Sequence, residues 1–265
     1  MQVKLVNSDS TLVIGIGEVG SALADVLEQR MGPVLRLDLA PQEVSRRIAV
    51  MHVCIPFHSP DSFQRTVAGY IGRFQPALTI LNSTVLPGTT RALLRATGAA
   101  VAYSPVRGKH AKMTADLKHY RKFVAALDVE TARAAERHFR DAGMTTQRVS
   151  RPETLELAKL AETSYFGVLI GFAQELNRYA NRVDADYSEA AEFFEEVEFL
   201  PRHRYFPGFI GGHCVVPNLK LLLRLAPSAL FEAVLTSNEQ RADELRMAAA
   251  GTAAIGDGPR CDGNK

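Results

Sequence analysis

Six residues near the N-terminus, Gly15-Ile16-Gly17-Glu18-Val19-Gly20, fit the spacing G-x-G-x-x-G. The stretch TLVIGIG reads as a strand entering a turn, and SALADVLEQRMG as the helix after it, stopped by Gly32 and Pro33. In that setting each glycine has a task. Gly15 permits a tight turn, Gly17 lets a pyrophosphate approach the backbone, and Gly20 lets helix and strand pack closely. Glu18 and Val19 open the helix, whose N-terminal amides and positive dipole end suit phosphates. Asp38 ends the next strand, about 20 residues on, where a carboxylate bonds the adenosine ribose hydroxyls and repels a 2'-phosphate. NAD is therefore favoured over NADP; Arg36, before the strand end, points weakly the other way. The alternative is a glycine turn in an α/β protein without cofactor.

Three further segments carry groups with chemistry. Ser83-Thr84-Val85-Leu86-Pro87-Gly88-Thr89-Thr90 follows the fourth apolar strand, and ligands of such sheets bind beyond the carboxyl ends of the strands. Thr84 is thus placed at nicotinamide or substrate, with Ser83 and Pro56, at the ends of the fourth and third strands, on the cofactor side. A plainer reading is a hydroxyl-rich loop with Thr89 or Thr90 capping the next helix. In Phe206-Pro207-Gly208-Phe209-Ile210-Gly211-Gly212-His213-Cys214-Val215-Val216-Pro217-Asn218, Gly211 and Gly212 allow a ligand close to the backbone. A helix starting near Asn218 would set Cys214 at its positive end, an environment that makes thiols nucleophilic. A lone cysteine is otherwise a small core residue. Lys159, within Leu157-Ala158-Lys159-Leu160, is a candidate proton donor or oxyanion stabiliser, or else a solvated lysine. His52, His58, His110 and His119 show no metal-ligand spacing, and no metal is expected. Glu195, Glu196 and Glu198 read as a solvated face.

The elements that must position these groups change character once along the 265 residues. In the first half, short apolar runs (VLRLDL, IAVMHVCIPF, ALTILNST, AAVAYSP, KFVAALD) alternate with helical patterns, and TTQRVS reads as a last edge strand. This predicts a parallel, doubly wound Rossmann-type sheet with helices on both faces, followed by a smaller all-helical domain. From Glu153 to about Val183 apolar residues recur at helical spacing, Pro152 suits a first turn, and Gly167 and Gly171 mark close helix packing. SEAAEFFEEVEFL, NLKLLLRLA and SALFEAVLTSNEQRADELRMAAA continue the helical pattern. The domains are placed at 1–150 and 151–250, with a disordered tail over 251–265. Hydrophobic residues are 46%, charged residues 23% and the net charge +2, which gives no footprint for nucleic acid. The start lacks the plan of a signal peptide, no apolar run is long enough to span a membrane, and the three cysteines are too few for a disulfide scaffold. A cytoplasmic setting is expected.

Four of these motifs, in order, resemble one family, the UDP-glucose/GDP-mannose 6-dehydrogenases: GIGEVG, STVLPGTTR, ETLELAKLAETSY and PGFIGGHCVVPN. The resemblance implies NAD as cofactor, a small-molecule substrate, and a homodimer joined through the long helix near Glu153. It matches Cys214 to a cysteine that attacks an aldehyde made by a first hydride transfer. A thiohemiacetal then loses a second hydride, and the thioester is hydrolysed. Lys159 matches the helix lysine and Thr84 the threonine that handles water; His213 flanks the nucleophile. The departures are specific. Thr163 stands where the family has asparagine, Asn218 where it has aspartate, and Ser104-Pro105-Val106 where it has Ser-Pro-Glu. Arg107, Gly108, Lys109 and His110 follow, a basic cluster suited to an anionic group. The sequence ends where the family's third, nucleotide-sugar-binding domain would begin, so a smaller anionic alcohol or aldehyde is the expected substrate. Two other readings compete: a redox-neutral enzyme holding NAD tightly, and an NAD(H)-sensing protein without turnover.

Overall fold

The computed structural model describes residues 10–39, 46–108, 112–195, 197, 198, 200 and 205–255. Two compact units divide the chain, Met1–Lys159 and Leu160–Lys265. In the first, the order is β1 (Ser10–Ile14), α1 (Glu18–Met31), β2 (Val34–Leu37), β3 (Ile48–Val53), α2 (Pro60–Phe74), β4 (Leu78–Leu81), α3 (Thr89–Thr97), β5 (Val101–Tyr103), α4 (Met113–His119), β6 (Lys122–Ala126), α5 (Val129–Asp141) and β7 (Thr146–Arg148). They build one sheet in the order β2-β1-β3-β4-β5-β6-β7. β1 pairs in parallel with both β2 and β3, so the strand order reverses beside β1. Such a switch point opens a crevice at the carboxyl ends of the strands.

Alternation within the strands feeds two cores. Val13, Val50 and Ile80 pack with Leu23 and Leu27 of α1 and Phe139 of α5. Leu12, Ile14, Met51 and Leu81 pack with Phe63 and Val67 of α2 and Leu93 of α3. Both faces are covered, which is why the strands read as nearly continuous apolar runs. One departure concerns direction: β6 runs antiparallel to β5, pairing Ala102 with Ala126, where the alternating pattern predicts parallel strands. The intervening α4, which that pattern does not resolve, packs against α1. Without a crossover back to its starting edge, the chain re-enters the sheet where β5 ends, in the opposite sense.

The long helix α6 (Pro152–Arg182) starts at the proline expected in its first turn, and the division between units falls inside it. The second unit holds the rest of α6, then α7 (Tyr187–Glu192), α8 (Val215–Leu225) and α9 (Ala229–Ile255). A Cβ on Gly167 would lie 2.8 Å from Val215 Cγ1, and one on Gly171 would lie 3.4 Å from Val234, so both glycines are places of close helix packing. Asp186 caps α7 by accepting from the Glu189 amide at 2.9 Å. α7 stops at Glu192, short of the helix expected over 188–200. Glu192 lies in its last turn, where a negative charge meets the negative end of the helix dipole. α9 continues to Ile255, past the ordered limit expected at 250; residues 256–265, Cys261 among them, lie outside the described residues.

Candidate functional site

β1 ends at Ile14 and α1 begins at Glu18, so Gly15, Ile16 and Gly17 make the whole connection. Gly15 has φ 86°, a conformation open to glycine. Its N–H donates to Leu37 O at 2.8 Å, and the Cys54 N–H donates to Ile14 O at 2.8 Å, stitching the turn to the ends of β2 and β3. A Cβ on Gly15 would meet Cys54 O at 2.8 Å, and one on Gly20 would meet Gly15 O at 1.8 Å. A Cβ on Gly17 would meet nothing within 4 Å. Gly15 and Gly20 are thus required by packing, whereas Gly17 fronts open space at the N-terminus of α1, where it offers no capping side chain. Val19 is partly buried; Gly17 and Glu18 are exposed. This is a surface a pyrophosphate fits.

Asp38 is exposed immediately after β2. Arg36 donates to Asp25 at 2.8 Å and to Glu28 at 2.6 Å, so its guanidinium is held against α1. The hydrogen bond with Asp25 raises its pKa further. Pro56 is exposed beyond β3. Ser83 is buried, and its hydroxyl donates to Ile55 O at 2.6 Å, fastening the end of β4 to the end of β3. Thr84 follows, half-buried.

The cap expected from Thr89 or Thr90 is supplied differently. Thr89 Oγ1 donates to Leu86 O at 2.6 Å. The N-terminus of α3 is held by Glu156 of α6, which accepts from Gly88 N at 2.6 Å, Thr90 N at 2.9 Å and Thr90 Oγ1 at 2.7 Å. Burial raises the Glu156 carboxyl pKa, opposed by these bonds. Its partners are more than 60 residues away in sequence, so no local pattern could name it.

Arg107 donates to Arg121 O at 2.8 Å and lies 4.8 Å from the centre of the Phe123 ring. Lys109 and His110, the other members of the expected basic cluster, lie outside the described residues. Behind Arg107 is a polar network that the sequence reading missed. Buried Lys122 donates to Ser104 O at 3.1 Å and Pro105 O at 3.0 Å. Asn82 Nδ2 donates to the same Ser104 carbonyl at 2.7 Å, which leaves Asn82 Oδ1 to accept from His52 Nδ1 at 2.9 Å. His52 Nε2 is then the acceptor for His138 Nε2–H at 2.8 Å. Both imidazoles are neutral: burial drives His52 well below the usual range and His138 to about 4. Burial brings Lys122 down to about 7, with the positive charges of Lys159 and Arg107 adding to the effect. Cys54, at the end of β3, is pushed up to about 12 by burial and is no nucleophile near neutrality. Lys159 is half-buried on α6.

The second unit holds the remaining candidates. α8 starts at Val215, earlier than the expected Asn218, so Cys214 is its N-cap and is exposed. Gly211, Gly212 and His213 are exposed too, and Gly212 has φ 77°. Asn218 is buried in the first turn; its Nδ2 donates to Thr163 Oγ1 at 2.8 Å, and Thr163 donates to Leu160 O at 3.1 Å. Two of the three departures from the resembled family are therefore one hydrogen-bonded pair. The candidates form two groups, one per unit: the cofactor turn with Asp38, Pro56, Ser83, Thr84, Arg107 and Lys159, and Cys214 with Gly211, Gly212, His213, Thr163 and Asn218. Among the described residues no three His, Cys, Asp or Glu side chains are placed to hold a metal. No helix there is long and apolar enough to cross a membrane.

Residues 153–242 match the central domain of the UDP-glucose/GDP-mannose dehydrogenase family. The chain is 29% identical to a UDP-N-acetyl-D-mannosamine dehydrogenase of Pyrococcus horikoshii, an alignment covering 78% of this chain and 56% of that one. It thus spans little more than half the length of this relative. A solved UDP-D-ManNAc dehydrogenase structure from Pyrococcus horikoshii superposes with TM-score 0.75 at 19% identity, covering 92% of this chain and 72% of that one. Mycobacterium tuberculosis 3-hydroxyisobutyrate dehydrogenase superposes with TM-score 0.67 at 16% identity, covering 89% of this chain and 94% of that one.

Proposed function

Starting from a chain related to the UDP-glucose/GDP-mannose dehydrogenases, we propose that it is an NAD-dependent dehydrogenase acting on an alcohol or aldehyde that carries an anionic group. Homologous UDP-sugar dehydrogenases use NAD. The observation that carries the reading is the cofactor turn. Gly15 and Gly20 are closed by backbone at 2.8 and 1.8 Å, while Gly17 alone is open. The adjoining Asp38, with Arg36 tied to Asp25 and Glu28, selects NAD over NADP.

NAD, when bound, accepts hydride from the substrate carbon. Lys159 takes the hydroxyl proton as the carbonyl forms and steadies the developing oxyanion. Cys214 Sγ then bonds to the aldehyde carbon, and the former carbonyl oxygen takes up a proton. Loss of a second hydride from the resulting thiohemiacetal carbon to a second NAD, with the hydroxyl proton passing to Lys159, would leave a thioester, and Thr84 would position the water that cleaves it, releasing the thiol and a carboxylate. The neutral Asn218–Thr163 pair shapes the first turn beneath Cys214. Arg107 receives the anionic group of the substrate. A homodimer forms along α6, where Tyr165, Leu169, Phe172, Leu176 and Tyr179 recur at alternating spacings of four and three and are exposed or half-buried.

The test is NADH formation with UDP-N-acetyl-mannosamine and with 3-hydroxyisobutyrate as probes, beside calorimetric titration with NAD and NADP. Binding of NAD in preference to NADP and turnover of either probe support the reading. Absence of NAD binding overturns it. Cys214→Ser should stop acid formation while leaving alcohol–aldehyde exchange; unchanged acid formation removes the thiol from the mechanism.

A further inference from the structure

We propose that Asn238 and Gln174 are positioning residues that fix the backbone of the loop leading into Gly211, Gly212, His213 and Cys214. The inference rests on the reading of Cys214 above for its catalytic consequence only. Asn238 lies on α9 and Gln174 on α6, both buried. Asn238 grips one residue of the loop at both ends: its Oδ1 accepts from Ile210 N at 2.7 Å and its Nδ2 donates to Ile210 O at 3.1 Å. Gln174 Nε2 donates to Gly208 O at 2.8 Å and to Asn238 Oδ1 at 3.2 Å. A segment without regular secondary structure thereby obtains the partners that a strand neighbour would otherwise supply.

The orientation of this clamp is determined from one end. Arg178 has only donors. Its Nη1 donates to Ser237 Oγ at 3.0 Å, so the Ser237 hydrogen is left for Gln174 Oε1 at 2.9 Å. That sets the Gln174 amide with its nitrogen towards Gly208 and Asn238, and hence sets Asn238 with its oxygen towards the Ile210 amide. Turning either amide over would oppose donor to donor or acceptor to acceptor along a buried chain, a costly arrangement. Arg178 is itself anchored, donating to Glu244 at 2.6 Å and to Ser237 O at 2.9 Å. The loop is apolar and is held at its start by Tyr187, whose hydroxyl donates to Tyr205 O, and at its end by Ile210, which joins the core with Val215, Leu219 and Val234; Phe206 and Phe209 between them are exposed. Ile210 is four residues before Cys214, so the clamp decides where the N-terminus of α8 receives its cysteine.

The experiment uses the full chain labelled with 15N-isoleucine, reading exchange of the Ile210 amide, together with the rate at which iodoacetamide alkylates Cys214 as resolved by peptide mass spectrometry. In Asn238→Leu, Ile210 exchange should rise about tenfold and the Cys214 alkylation rate should shift, while the amides of Ile14 and Ile80 in the sheet core keep their protection. Ser237→Ala, one step further from the loop, should move both readings the same way by less. Unchanged Ile210 exchange and Cys214 alkylation in a folded Asn238→Leu protein would overturn the proposal. So would an unprotected Ile210 amide in the wild-type chain, a reading that needs no variant. Neither readout requires turnover. If Cys214→Ser keeps full acid formation, the catalytic reading fails and the clamp is still decided by its own test.

Discussion

Gly17 and Gly20 occupy the same motif but answer to different forces, and substitution should separate them. A Cβ on Gly20 would lie 1.8 Å from the carbonyl oxygen of Gly15, a backbone atom that cannot move without opening the turn. Gly20→Ala should therefore lower the melting temperature and weaken NAD binding together. A Cβ on Gly17 would meet nothing within 4 Å, and its φ of −74° suits any residue, so Gly17→Ala should melt like the parent and lose only cofactor affinity. Melting curves and calorimetric titration of both variants check the split; equal NAD affinity in Gly17→Ala would remove the ligand from that space. The motif was fully legible in sequence at this scale, because every contact it makes is between neighbours along the chain or with the strands beside β1. Ser83 was legible only as a hydroxyl in a loop, and its bond to Ile55 depends on the pairing of β3 with β4.

Among the elements, α6 serves both units. Its first turns brace α3 through Glu156, whose carboxylate satisfies two backbone amides and one hydroxyl in a buried setting. Glu156→Ala leaves those donors unpaired and should cost about 3 kcal/mol, read as a lower urea midpoint; Glu156→Gln, which keeps acceptor capacity, should cost less. A midpoint unchanged in the alanine variant would show that water replaces the carboxylate. Further along, the alternating spacing from Tyr165 to Tyr179 forms an apolar seam on α6, opposite the face that meets α8 and α9 through Gly167 and Gly171. Light scattering should give a dimer mass for the parent and a monomer for a Leu169→Glu, Leu176→Glu double variant. A monomeric parent would refute the seam. The helix itself, its proline start and its packing glycines were readable from periodicity; the reach of Glu156 to Gly88 was not.

Over the whole molecule, buried titratable groups give stability a pH dependence whose sign follows from their shifts. His138 is held near 4 against an ordinary 6.5, and His52 is lowered too, so below about 6.5 the unfolded chain binds protons that the folded chain refuses. Stability falls as pH drops through that window, by about 3 kcal/mol for His138 alone. Lys122, near 7 against an ordinary 10.5, works in the same direction: the unfolded chain keeps its proton above 7, and stability rises with pH. Cys54 opposes this above its ordinary 9.0, since the fold keeps its thiol protonated to about 12. Melting temperatures should therefore rise from about pH 5 to about pH 8, and His138→Gln, which can still donate to His52, should flatten the acid arm. A flat profile in the parent would contradict the buried neutral pair. Lys122, beside Phe123, and His138 carry no signal in the sequence, and His52, in an apolar strand, is legible there only as a histidine without metal-ligand spacing. What the sequence determined by itself was whatever depends on near neighbours: the glycine turn, the strand–helix alternation, the long helix and the segment bearing Cys214. Those patterns have periods of two and 3.6 residues, or fixed spacings within one turn, and need no partner to be read. The tertiary structure decided the rest: the direction of β6, the Glu156 cap, the Lys122–His52–His138 network, the Asn218–Thr163 pair and the Asn238 clamp. Each joins groups far apart in the chain, and a polar side chain declares its role only when burial denies it water and leaves one partner within reach.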